Sequence, residues 1–79
     1  MNIHNYKVPS DVIERCEAVM MRGPFRANEI TAVAIQAGVP DYVEYRYIAC
    51  RVADRLIQKH RKAKTIRMSQ NFPVWEPTP

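Results

Sequence analysis

A chain of 79 residues, 47% of them apolar, suits one small folded domain and is too hydrophobic for a disordered segment. No apolar run approaches the ~20 residues that cross a bilayer, Met1 to Tyr6 lacks the pattern of a secretory signal, and two cysteines and two histidines at scattered spacings make no zinc motif, so neither export, membrane insertion nor a metal is expected. The net charge of +4 is unevenly held: residues 1–45 carry four bases against six acids, whereas residues 46–67 carry eight bases against Asp54 alone, a concentration that suits a polyanionic partner.

The first expected helix follows Val8-Pro9, with Asp11 and Glu14 resembling a capping box. Val12, Ile13, Cys16, Val19 and Met20 form its apolar stripe, and Gly23-Pro24 stops it. A second helix is predicted from about Ala27 to Ala37, with Phe25 packing just before it and Ile30, Val33, Ala34 and Ala37 facing inward. Arg26 is a poor N-cap, and Asn28 serves if the helix starts later. Gly38 ends this helix and Val39-Pro40 turns the chain. The third helix is predicted from Asp41, where Asp41-x-x-Glu44 again looks like a capping box, to about Lys59 or His60. At 100° per residue, Tyr45, Ala49, Val52, Ala53 and Leu56 share one face, with Ile48 beside them. Tyr47, Arg51, Asp54, Arg55 and Gln58 share the other. Cys16 and Cys50 both fall in helical patterns and are expected to be reduced and buried, a lone disulfide being the alternative.

Beyond the third helix the period changes. Lys64 to Met68 alternates polar and apolar, as a half-buried strand does. Ser69-Gln70-Asn71 reads as a turn, and Phe72 to Trp75 as a returning edge strand in which Pro73 cannot donate to a ladder. Trp75 would anchor the hairpin to the core, and Glu76 to Pro79 would be extended and loose.

This order of elements, with the Gly38-Val39-Pro40 turn and the basic run Arg55 to Ile66, resembles the winged helix-turn-helix class of bacterial and phage DNA-binding proteins. The resemblance implies a single, mainly α domain over residues 1–79: a three-helix helix-turn-helix core with a C-terminal β-hairpin wing, its ordered part spanning about 9–75. Two departures stand out. His60-Arg61 replaces the usual glycine after the third helix, and that helix is long enough for its first turn to be a separate piece.

Because an α-helix fits the major groove, the resemblance makes Tyr47, Arg51 and Arg55 candidates for base-edge or nearby phosphate contact. Lys59, Arg61, Lys62, Lys64 and Arg67 would hold phosphates, Arg46 would touch the backbone, and Gln70 and Asn71 at the wing tip would probe the minor groove. Tyr45 reads as core, Tyr42 as a cover for the helix start, and Tyr47 equally as part of a protein interface. Asp54 pairs on its own helix or offsets part of the field, and His4 and His60 face solvent. Enzymatic readings find little support, since only Gly23 and Gly38 occur, Glu14 and Glu17 lie on the outer side of a helix, and Cys16 has no adjacent histidine. No catalytic residue, cofactor or metal is expected.

The function expected is sequence-specific or architectural binding of double-stranded DNA. The protein would be a cytoplasmic, nucleoid-associated transcriptional regulator, or an accessory factor in recombination or replication, of a bacterium or phage. A homodimer through the first helix or the Trp75 end would extend its reach. The alternative is a protein-interaction module, such as a phage regulator that binds a host protein through the same basic face. RNA binding is disfavoured because no strand rich in exposed aromatics is evident.

Overall fold

In the computed structural model, which describes residues 1–79, three helices are interspersed with three antiparallel hairpins, α1 and α2 following one another directly after the first. Strands β1 (Asn2–Ile3) and β2 (Tyr6–Lys7) precede helix α1 (Ser10–Arg22), and α2 (Ala27–Gln36) follows. Next come β3 (Tyr42–Val43), β4 (Arg46–Tyr47) and α3 (Ala49–Lys62), then β5 (Ile66–Met68) and β6 (Trp75–Pro77). Each consecutive pair of strands forms its own two-stranded sheet. The product is a small α+β domain.

Helix α1 forms where Val12, Cys16 and Met20 repeat every four residues, and all three are buried. Its N-cap is Pro9, which has no side-chain bond to give, so Asp11 and Glu14 do not build the expected capping box. Arg26 occupies the N-cap of α2 without a side-chain bond to give, as its residue type predicts; Glu29 compensates by accepting from the Arg26 amide at 3.3 Å, one half of a capping box, and Asn28 lies inside the helix. The same device ends α2 and α3. Gly38 and Val39 amides donate back to Ile35 and Ala34 carbonyls, and Lys64 and Thr65 amides donate back to Arg61 and His60 carbonyls. Gly38 takes its positive φ of 104° freely, whereas Lys64 adopts φ 62° where glycine is usual.

The third helix differs from expectation in its first third. Residues 41–48 are a hairpin, closed by Ile48 N–H donating to the Asp41 carbonyl at 3.0 Å, and the helix begins at Ala49. Tyr42, Val43, Tyr47 and Ile48 favour strand, and that preference prevails over the apparent capping box. Glu44 and Tyr45 occupy the two-residue turn with φ of 49° and 64°, the left-handed conformation that a twist-matched hairpin requires at both positions. Neither residue favours that region, at a cost of roughly 1–2 kcal/mol each. Tyr45 is therefore not core; it is 90% exposed. The β1–β2 hairpin, unforeseen in the sequence, has the same form, with His4 and Asn5 at the turn.

At the C-terminal end the strands are shifted. β5 is shorter than Lys64 to Met68, and its partner is Trp75–Pro77 rather than Phe72 to Trp75. Phe72 and Pro73 belong to the connecting loop, and Phe72 is 80% exposed. Glu76 to Thr78 are not loose: Arg67 pairs with Glu76, and the Thr78 amide donates to the Thr65 carbonyl at 2.9 Å. The fold thus reaches past residues 9–75 at both ends, taking in buried Ile3 as well.

Sixteen buried residues, all hydrophobic, form one core between the helices, with Leu56, Val52, Ala53 and Ile57 of α3 at 3% exposure or less. No polar side chain is buried without a hydrogen-bond partner. Trp75 packs half-buried against this core, and its backbone exchanges two hydrogen bonds with Phe25, at 2.8 and 2.9 Å. The segment between α1 and α2 thereby adds a bridge to the C-terminal hairpin and fixes it against the helices. Cys16 is buried and Cys50 exposed; both are free thiols, so burial holds for only one of the pair.

Candidate nucleic-acid interface

Burying Ala49, Val52, Ala53, Leu56 and Ile57 turns the opposite side of α3 to solvent, and there the 3.6-residue period places Arg51, Asp54, Arg55, Gln58, Arg61 and Lys62. This is the face read from the sequence minus Tyr47, and it gains Arg61 and Lys62 because the helix runs beyond the expected end at Lys59 or His60 to Lys62. At 14 residues, α3 is about 21 Å long, a length and width that a major groove admits. Bases crowd its last turn, where Lys59, His60, Arg61 and Lys62 complement the negative end of the helix dipole. That ordinary reason does not extend to Arg51. Arg51 is the third helical residue, in a first turn that holds no acid, where the dipole repels a cation.

Two of the eight bases in 46–67 have carboxylate partners. Lys59 Nζ lies 3.6 Å from Glu17, and Arg67 Nε donates to Glu76 at 2.9 Å across the β5–β6 pair. Both remain more than half exposed but are partly neutralised. The other six, Arg46, Arg51, Arg55, Arg61, Lys62 and Lys64, have no acidic partner. Some are nevertheless oriented. Arg55 donates to the Asn2 carbonyl at 3.0 Å, and Arg61 donates twice to Gln58 Oε1, at 2.8 and 3.1 Å. Each guanidinium keeps free N–H groups for an outside acceptor. Asp54 forms no ion pair on its helix, contrary to one expectation.

Arg46 and Tyr47 are exposed on β4, not on α3. Arg46 donates to His4 Nδ1 at 3.0 Å, joining the two N-terminal hairpins; because a guanidinium only donates, that ring nitrogen is the acceptor. A shallow groove of about 440 Å³ runs between these hairpins, lined by His4, Asn5, Tyr6, Val43, Glu44, Arg46 and Ile48. Val43 and Arg46 thus face the β1–β2 hairpin. Tyr42 and Tyr47, paired across the strands, project from the other face with ring centroids 5.0 Å apart, and Tyr45 stands 6.4 Å from Tyr42 at the turn. Reading 41–48 as helix hid this exposed aromatic cluster; the density of strand-favouring Tyr42, Val43, Tyr45, Tyr47 and Ile48 was the signal for it. At the other end, Gln70 and Asn71 are exposed in the Ser69–Val74 loop as expected, and Phe72 beside them is a second aromatic that the strand assignment had hidden.

His60 does not face solvent. Its side chain is 14% exposed, with Nε2 donating to Glu17 of α1 and Nδ1 2.7 Å from the Thr65 hydroxyl. Glu17 thus turns toward α3, and the cluster ties α1, the end of α3 and the start of β5 together. Burial raises the Cys16 thiol above its ordinary value of 9.0, and neighbouring Glu17 adds to the effect. No helix is long and apolar enough to cross a membrane. The chain matches no known protein family, no curated protein and no solved structure, so its function has to be read from the placement of these side chains.

Proposed function

We propose that this protein binds double-stranded DNA as a small winged helix factor, with the outer face of α3 in the major groove and the β5–β6 hairpin as the wing. A transcriptional regulator is the favoured role, with an accessory role in recombination or replication next. The observation that carries the reading is the unpaired charge on α3, Arg51 above all. A cation in the first helical turn lowers the helix's own stability, and an external polyanion supplies the compensation. Arg51 and Arg55, about one turn apart, suit base edges or adjacent phosphates, and Arg61, Lys62 and Lys64 suit phosphates. Lys59 and Arg67, already shared with Glu17 and Glu76, contribute less. The bridge from Phe25 to Trp75 supports a wing held in a fixed position beside the helices.

The test is binding to a random duplex pool across a salt series, with sequencing of the retained fraction. Steep loss of affinity with salt supports DNA binding, and an enriched motif supports sequence-specific regulation. Absence of binding at low salt overturns the reading. The exposed tyrosines of β3–β4 favour a second reading, a protein-interaction module, because tyrosine and arginine dominate interface energetics. A protein complex that survives high salt and is lost when the tyrosines are truncated would support it.

A further inference from the structure

The β3–β4 hairpin is costly to build as it stands. Its turn holds Tyr45 in a left-handed backbone conformation, φ 64°, yet leaves 90% of that residue in solvent, so no packing offsets the strain. Tyr42 and Tyr47 flank it, 49% and 58% exposed. Strained backbone and unburied aromatics coincide here and in no other turn: the first hairpin carries His4 and Asn5 at the same two positions, where asparagine is readily tolerated. The cluster also sits beside the charge. Tyr47 precedes Arg51 by four residues, so their Cα atoms are within about 14 Å of one another.

Resting on the DNA reading above, we propose that this hairpin is a stacking platform for an unpaired nucleobase, so that the protein prefers duplex DNA carrying an exposed base at an end, bulge or fork. Nearly all of the Tyr45 ring is free, and an aromatic face accepts any base. The backbone of such a base would be held by a cation, and Arg51, four residues after Tyr47, has no acidic partner, whereas Arg46 lies on the opposite face of the hairpin and donates to His4. Exposed aromatics followed in the chain by an unpaired arginine match the chemistry of single-strand recognition better than that of a neutral apolar protein patch. The α3 face would engage the duplex and the hairpin the base beyond it.

The experiment measures anisotropy of labelled blunt duplex and of the same duplex with a short 3′ overhang, using wild type, Tyr45→Asn and Tyr45→Trp. Asparagine suits the left-handed turn, so Tyr45→Asn keeps the hairpin while removing the ring. Wild type is expected to bind the overhang roughly 5- to 150-fold more tightly than the blunt duplex, the span of one base–aromatic stack. Tyr45→Asn is expected to abolish that preference and leave blunt-duplex affinity within about twofold, a difference of ~0.4 kcal/mol. Tyr45→Trp is expected to retain the preference, with fluorescence quenched only by the overhang. Equal affinity for the two DNAs, with the salt dependence intact, overturns the platform and leaves DNA binding standing. Failure to bind either DNA removes both. Concentration-dependent self-association that Tyr45→Asn abolishes, without overhang preference, also overturns the platform and assigns the face to a second copy.

Discussion

Replacing Arg51 with alanine separates binding from folding, because the two should move in opposite directions. Six bases in 46–67 lack an acidic partner, and if all six meet phosphates the logarithm of affinity falls with the logarithm of salt at a slope of about −5. A rise from 50 to 200 mM salt then weakens binding roughly a thousandfold. Arg51→Ala is expected to shallow the slope by about 1, so that the same rise costs roughly 250-fold. A base-edge role for Arg51 adds a loss of ~1–3 kcal/mol on the preferred sequence alone. Stability should meanwhile rise by ~0.3–1 kcal/mol, since an exposed cation leaves the positive end of α3 and a better helix former replaces it. Fluorescence anisotropy over five salt concentrations, with urea unfolding of the same preparations, gives both quantities. An unchanged slope and affinity in Arg51→Ala would refute the assignment of the α3 face to DNA.

Four further outcomes test the fold and its chemistry. Leu56→Ala, at a fully buried position, is expected to cost ~2–5 kcal/mol and lower the thermal midpoint by at least ~10 °C, read by circular dichroism; a shift of a degree or two would contradict the described core. His60→Ala removes hydrogen bonds to Glu17 and Thr65 and is expected to cost about 1–3 kcal/mol in urea unfolding, with no loss if the cluster does not form in solution. A thiol reagent should label one cysteine, Cys50, in the native protein and both in denaturant. The folded Cys16 thiol binds its proton more tightly than the unfolded one, so its contribution to stability is complete below pH 9.0 and declines above it. Cys16→Ser should flatten that alkaline decline.

Where one face of an element is buried and the other wet, its period could be read directly. That condition held for α1, for α2 and for α3 from Ala49 onward, and it brought Arg51 and Arg55 to the surface as expected, while the helix continued through Arg61 and Lys62 past its expected end. It failed at 41–48, because Tyr45, Ile48, Ala49 and Val52 happen to fall at helical spacing while Glu44-Tyr45 lacks the Asn-Gly signature of a tight hairpin. The first hairpin went unseen for a similar reason, with only two residues in each strand. The pairing of Glu17 with His60 and Lys59 depends on how α1 packs against α3, which no local pattern encodes. In the C-terminal hairpin, the strand change at Thr65-Ile66 was legible, but its loop proved longer than a three-residue turn, and the partner strand slid toward the C-terminus.

The bridge between Phe25 and Trp75 also governs the order of assembly. Helices and the two N-terminal hairpins draw on contacts close in sequence, whereas this bridge joins residues 50 positions apart and closes a loop containing both α2 and α3. Loop closure on that scale carries an entropic cost of roughly 3.5 kcal/mol beyond a constant, recovered only once the helices have packed. The C-terminal hairpin is therefore expected to dock last and open first, and its amides should exchange with deuterium ahead of those in α3. Whatever grips the C-terminal hairpin holds that loop shut, and so slows the separation of the helices it encloses.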